Sequence, residues 1–279
     1  MRNTVKTLAN IGFAAALMLC LQAGAHASDT NTKVPCTAPT GEAKLERTLI
    51  RTAERLRAHQ PITIVAIGSS STAGAGASSP AASYPNRLEA ELRLRFPDEK
   101  ITVINHGVNG EVGSDMLARF EHDVIDEKPD LVLWQVGSNS VLRDHPLAPA
   151  GEVMREGIKT LKKAGIDVVL IDPQYAPKIL TKHDFNGMNA LIEVTAKETS
   201  VAVFHRFSIM RYWHETRDLP FETFVTPDGL HMNDWGYDCW AKLLGASIAE
   251  AATRPTPHAI TSASMAPAML QAKVAVPAR

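Results

Sequence analysis

Five short apolar runs, separated by longer amphipathic stretches, constrain this chain more than any other feature. They are ITIVAI (62–67), ITVIN (101–105), LVLWQV (131–136), DVVLI (167–171) and VAVF (201–204). Strands that read as continuous apolar runs, rather than alternating ones, are buried on both faces. The intervening stretches, about 42–59, 84–96, 113–127, 151–164, 185–199 and 234–250, carry helical spacing. Strands alternating with helices predict an α/β domain in which a five-stranded parallel sheet lies between two helical layers. A flavodoxin-like strand order suits five strands. Gly165 stands where a helix should end in a left-handed residue, and Pro173 stops the chain soon after the fourth run.

The 279 residues, 45% of them apolar, suffice for one α/β domain with a substantial core. Its edges are read from composition. Arg2 and Lys6 precede an apolar stretch from Ile11 to Leu21, and Ala25-His26-Ala27 follows as a small-x-small cleavage signal. Residues 1–27 therefore read as a signal peptide, the apolar stretch being short for a bilayer span. Residues 28–41 read as a linker, 42–251 as the body, and 252–279 as an Ala/Pro-rich flexible tail. Loss of residues 1–27 removes two basic residues and no acid, changing 29 against 30 to 27 against 30, a net charge of −3. No long Lys/Arg run is present, so no nucleic-acid partner is expected. No stable membrane span is expected after cleavage, and the periplasm or the exterior is the expected location. Cys20 leaves with the signal. Cys36 and Cys239 remain, and an oxidising compartment permits either a disulfide between them or two unpaired thiols.

Ligands of open parallel sheets bind beyond the carboxyl ends of the strands. The segments found there are GSSSTAGAGAS (68–78), HGVNGEVGSD (106–115), GSNSVLRDH (137–145), DPQYAP (172–177) and, further on, TPDGLHMNDWGY (226–237). They hold the parts that acyl transfer needs. Ser70 supplies a hydroxyl at a sharp turn. His231 can take its proton, and Asp228, three residues earlier, can fix the imidazole and balance its charge. The Ser70 N–H, the Gly110 N–H and the Asn139 side-chain amide can receive a developing oxyanion. Taken singly, each has a plainer reading. Ser70 is an ordinary helix cap, Gly110 a residue needing positive φ, Asn139 a turn former, and His231 one of ten histidines.

Taken together and in order, they resemble the SGNH family of GDSL-type esterases and lipases. GSSSTAG (68–74) resembles the first block, usually GDSxTxG, and its register against Thr72 and Gly74 selects Ser70 over Ser69 and Ser71. GVNGEVGSD (107–115) resembles the second block, GSNS (137–140) the third, usually GxND, and DGLH (228–231) the fourth, DxxH. The resemblance implies the SGNH hydrolase fold and a serine esterase. Its catalytic residues would be Ser70, Asp228 and His231, and its oxyanion hole Ser70, Gly110 and Asn139. No metal or other cofactor is implied. Two positions depart from the pattern: Ser69 and Ser140 stand where the family has Asp. The resemblance implies that those carboxylates support the loops, so their loss is expected to loosen the site or change its substrate.

The segment Asp172–Asp184, carrying Tyr175, Lys178 and His183, is either a substrate-shaping loop or a solvated excursion. Tyr175 and His183 are the candidate substrate contacts. Met210, Tyr212 and Trp213 read as the core face of a short helix, and Trp235 as a shield for His231. The expected substrate is a small-molecule or glycan ester with a short acyl group. Transfer to a sugar hydroxyl, or glycan binding without catalysis, are the other readings, and oligomeric state is left open.

Overall fold

The structure is a computed structural model describing residues 34–255; the expected signal peptide and most of the expected tail lie outside these residues. The chain divides into two units, Met1–Pro35 and Cys36–Arg279, and the second holds the whole sheet. Its strands are β1 (Ile62–Gly68), β2 (Ile101–Gly107), β3 (Leu131–Gln135), β4 (Asp167–Ile171) and β5 (Ala202–Phe204). All pair in parallel, in the order β2-β1-β3-β4-β5. This is the flavodoxin-like order expected. Each strand begins within one residue of its apolar run.

The helices are α1 (Ile50–Arg57), α2 (Ser70–Ala73), α3 (Tyr84–Arg95), α4 (Gly113–Ala118), α5 (Ser138–Leu142), α6 (Leu147–Lys163), α7 (Pro177–Leu180), α8 (Phe185–Thr199), α9 (Arg206–Arg211) and α10 (Asp234–Thr253). Helix α10 packs on α3 and α1, and α6 packs against α4 and α8. The strands are lined by fully buried Ile64, Val65, Leu133, Trp134, Val169 and Leu170. Burial of each such side chain contributes about 1.5–3 kcal/mol. Among the described residues no helix is long and apolar enough to cross a membrane.

Two edges differ from expectation. The helix expected from residue 42 begins at Ile50. Carbonyls in the preceding segment are engaged by α10 and the residue after it: Ala43 O accepts from the Ser247 hydroxyl, and Leu45 O accepts from Arg254 at 2.9 Å. From Cys36 onward the segment read as a linker has no regular secondary structure but is tied to the rest of the second unit. Cys36 is disulfide-bonded to Cys239 on α10, and Thr37 O accepts a 2.7 Å bond from the Trp213 indole. Arg217 donates to the Thr37 hydroxyl at 2.6 Å.

The cross-link closes a loop with a sequence separation of 203 residues. Loops of that order lose the most chain entropy on cross-linking, and native disulfides typically contribute about 2–5 kcal/mol. Cys36→Ser should lower the thermal midpoint by about 5–15 °C for a body of this size. An unchanged melting curve would show that the bond adds nothing to stability.

Candidate active site

Strand β1 ends at Gly68, and the chain turns at once into the single-turn helix α2, whose first residue is Ser70. A Cβ on Gly68 would lie 2.2 Å from the Thr72 hydroxyl and 2.9 Å from Gln135, so only glycine permits this turn. Ser69 is buried. Its N–H and its hydroxyl both donate to Gln135 Oε1 at 2.9 Å, and Thr72 Oγ1 adds a 3.4 Å bond to the same oxygen. The position where a carboxylate was expected thus holds a small donor, and the acceptor comes from the end of β3. At Ser69, then, the loop is tied without a carboxylate. Gln135 continues through Ser138, whose hydroxyl donates to Gln174 Oε1 at 2.8 Å. Gln174 also accepts from buried Arg206 at 3.0 Å. A chain of buried neutral groups, ended by one guanidinium, therefore ties together the loops after β1, β3 and β4. Arg206 lies over the Trp240 ring, 5.0 Å from its centroid, and donates to Asp172 O at 2.6 and 2.9 Å. Beside it, burial pushes the Asp172 carboxyl up to about 7. Gln135, Gln174 and Arg206 escaped the sequence reading. The one available signal was a glutamine inside the apolar run LVLWQV.

The candidate base, His231, arrives from outside the sheet. Residues 225–232 form a narrow loop closed by an antiparallel bridge between Val225 and Met232, with Gly229 turning at φ +70°. Asp228 Oδ1 accepts from the Thr226 hydroxyl at 2.7 Å, from Leu230 N–H at 2.8 Å and from His231 N–H at 3.0 Å. Asp228 Oδ2 lies 2.5 Å from His231 Nδ1. On the far side of the ring, Nε2 lies 2.8 Å from Ser70 Oγ. With the Nδ1 proton directed at the carboxylate, Nε2 is left to accept the serine hydroxyl proton. Burial works against the charge on Asp228. The bonds from the His231 side chain and N–H, from Thr226 and from Leu230 outweigh it and hold the carboxyl well below the usual carboxylate range. The Asp228 side chain is 41% exposed and that of His231 17%, so the site opens to solvent on the acid's side.

The third part comes from the loops after β2 and β3, the strands on either side of β1. The first of these loops lies against the nucleophile turn, Val108 N–H donating to Gly68 O at 3.0 Å. Gly110 has φ +82°, a region that favours glycine. Among the described residues, neither the Ser70 N–H nor the Gly110 N–H has an acceptor. Asn139, on α5, donates one amide hydrogen to Glu111 O at 2.8 Å, which leaves its second hydrogen free. Two free backbone donors and one free amide hydrogen are what an incipient oxyanion requires.

Hydrogen bonds thus link Ser70, His231 and Asp228 in one line, and the bond to Glu111 links Asn139 to the residue after Gly110. The two candidate substrate contacts stand apart. Tyr175 is 8% exposed; its hydroxyl lies 2.8 Å from Glu215, and its ring packs on Phe207 and Phe221. It is a core residue rather than a loop contact. The His183 side chain is 96% exposed, with Nδ1 2.9 Å from Asp184. Met210 and Trp213 are buried, as their spacing predicted, and Trp235 packs edge-on against Trp213.

Comparison with known proteins places this geometry among relatives. An acetylxylan esterase from Geobacillus stearothermophilus is 41% identical over 56 residues, covering 20% of this chain and 26% of the relative. An arylesterase from Vibrio mimicus is 30% identical over 95 residues, covering 34% and 46%. The chain therefore spans less than half the length of these curated relatives. Among solved structures, a two-domain esterase active on acetylated mannans superposes with a TM-score of 0.66 at 21% identity, covering 77% of this chain and 57% of the other. A mutant acetyl-xylooligosaccharide esterase from Geobacillus gives 0.59 at 22% identity, covering 70% and 97%. At these identities the likeness is one of fold. The model of the Non-GDSL lipase-like family matches residues 35–254, a span that takes in the whole sheet and every residue of the site. A match of that extent settles membership, and the chain belongs to the Non-GDSL lipase-like family.

Proposed function

We propose that this protein is an exported serine esterase that releases short acyl groups, acetyl foremost, from glycans. The observation that carries the reading is the line from Asp228 through His231 to Ser70, with contacts of 2.5 and 2.8 Å. In the first step His231 Nε2 takes the Ser70 proton while Ser70 Oγ bonds to the ester carbonyl carbon. The carbonyl electron pair moves onto oxygen, facing the Ser70 and Gly110 N–H groups and the Asn139 amide. Collapse expels the sugar alkoxide, which takes the proton from His231. Water then repeats the sequence with roles reversed and frees the acid. Asp228, kept charged by its four hydrogen bonds, stabilises the imidazolium formed in both steps.

The curated relatives support the ester class, one named an acetylxylan esterase and the other an arylesterase. Export is supported by the leader-like residues 1–27 and by the Cys36–Cys239 bond, which belongs to an oxidising compartment. A fluorophosphonate probe should label the protein once, at Ser70, and the same preparation should release acetate from acetylated xylan or mannan. No label at Ser70 and no acetate released would leave a glycan-binding protein as the better reading.

A further inference from the structure

The loop that carries Gly110 has little of its own to hold it. Its internal turn bond, Glu111 N–H to Val108 O, is long at 3.5 Å. Its carbonyls are instead tied outward: Gly110 O accepts from Arg143 at 2.6 Å and Glu111 O from Asn139 Nδ2 at 2.8 Å. The Glu111 side chain meets Arg119. Nε lies 3.1 and 2.9 Å from the two carboxylate oxygens, and NH2 lies 2.7 Å from one of them. Arg119 is itself fixed, donating from NH2 to His106 O on β2 at 2.8 Å and from NH1 to Asp123 at 2.5 Å. Both side chains are mostly buried, at 17% exposure for Arg119 and 15% for Glu111.

We propose that Arg119 and Glu111 form a positioning clamp for the oxyanion hole, acting through the Glu111 carbonyl on the Asn139 amide. A terminal amide torsion is broad and roughly two-fold, so Asn139 needs an anchor to present one hydrogen steadily. Its anchor is the Glu111 carbonyl, whose place is set by where the Glu111 side chain is held. A planar guanidinium meeting both carboxylate oxygens fixes direction as well as distance, which a lysine cannot do. Four of the five N–H groups of Arg119 are engaged by Glu111, His106 O and Asp123, and neither Arg119 nor Glu111 bonds to Ser70, His231 or Asp228, so the pair is a positioning pair and neither member is a catalytic residue. The inference rests on Asn139 being an oxyanion donor, as proposed above.

The test is a double-mutant cycle with Glu111→Gln, Asn139→Ala and their combination, with Arg119→Lys as a second clamp variant and Ser70→Ala as the control. For each, kcat and KM on p-nitrophenyl acetate, the rate of fluorophosphonate labelling and the thermal midpoint are measured. Asn139→Ala should lose about 100-fold or more in kcat. Glu111→Gln and Arg119→Lys should each lose about 10- to 100-fold with KM little changed, because displacement of a catalytic group by an ångström costs that much. The Glu111→Gln/Asn139→Ala double variant should be no slower than Asn139→Ala alone, since the clamp has nothing left to aim. Losses that multiply would overturn the proposal, as would a fall in thermal midpoint with kcat and labelling rate unchanged. Full activity in Asn139→Ala overturns it too, with the Ser70 assignment left standing. Turnover retained by Ser70→Ala would remove the active-site reading itself, and the clamp with it.

Discussion

Ser70→Ala should lower kcat on p-nitrophenyl acetate by about 10⁴-fold or more, leave the melting curve in place, and abolish fluorophosphonate labelling. The magnitude follows from the arrangement. Ser70 Oγ is the one hydroxyl within hydrogen-bond reach of His231 Nε2 among the described residues. Of the neighbouring buried hydroxyls, those of Ser69 and Thr72 donate to Gln135, and no bond joins Ser71 to His231. His231→Ala should match it, and the Ser70→Ala/His231→Ala double variant should be no worse than either, because groups acting as one unit lose their function once. Asp228→Asn should lose less, about 10²- to 10⁴-fold, through the wrong tautomer and a poorly held ring. A profile of kcat/KM against pH adds a check. The bonds from His231, Thr226 and Leu230 keep the Asp228 carboxyl below the ordinary carboxylate range. It therefore stays ionised as pH falls through that range, and no loss of activity near pH ~4 should be traceable to it. Near wild-type turnover in Ser70→Ala would end the assignment.

Gly107→Ala should be the most destabilising single-methyl change near the site. A Cβ there would sit 2.0 Å from Ala73 N, 2.5 Å from Thr72 C and 2.6 Å from Ala73 Cα. These are backbone atoms of the nucleophile helix, so no rotamer change relieves the clash; β2 and α2 must separate. Overpacking typically costs about 1–3 kcal/mol and more where backbone must move. A fall in thermal midpoint of about 5–10 °C is expected. Because α2 carries Ser70, kcat should fall as well in the fraction that remains folded. Gly165→Ala is the comparison. Gly165 has φ +72° but only the Arg51 guanidinium at 4.0 Å near its would-be Cβ, so its cost is one of backbone conformation, about 1 kcal/mol. Equal melting of the two variants would refute the close approach of β2 to α2.

The sheet was legible because its strands are buried on both faces, and such strands announce themselves as unbroken apolar runs. DVVLI is β4 residue for residue. The motif blocks were legible for a different reason: most lie within a few residues of a strand end, where the chain has little freedom. Long-range hydrogen bonds were not legible. Ser69 looked like a loss because the sequence shows a missing carboxylate and cannot show that Gln135, 66 residues away, faces it. Tyr175 looked like a loop residue by position. Its partners Phe207, Glu215 and Phe221 lie far along the chain, and they draw it into the core. The short helices α2, α5, α7 and α9 span one or two turns and are too brief to show a period. The stretch expected as one helix over 113–127 divides into α4 and a π-turn over Glu121–Ile125, a break that hydrophobic spacing does not encode.

The two halves of this site have different foundations. Ser70, Gly110 and Asn139 follow the ends of three neighbouring strands whose spacing is fixed by the backbone ladder, so the sheet sets where that half stands while side-chain bonds beyond the strands set its aim. Asp228 and His231 ride on a loop closed by the Val225–Met232 bridge and tied outward by bonds from Lys178 N–H to Gly229 O and from Gln174 Nε2 to Leu230 O, while the bonds that set the acid against the base lie inside the loop. With so few backbone bonds to the rest of the chain, it is expected to open at a lower cost than the sheet. Amide exchange should therefore be faster at residues 226–231 than at the ends of β1, β2 and β3. On the proposed assignment, a protein caught with this loop open would keep its place for the carbonyl oxygen and lose only the proton acceptor. Variation in the loop can then retune the leaving alcohol and the pH range while the acyl-binding half is left untouched.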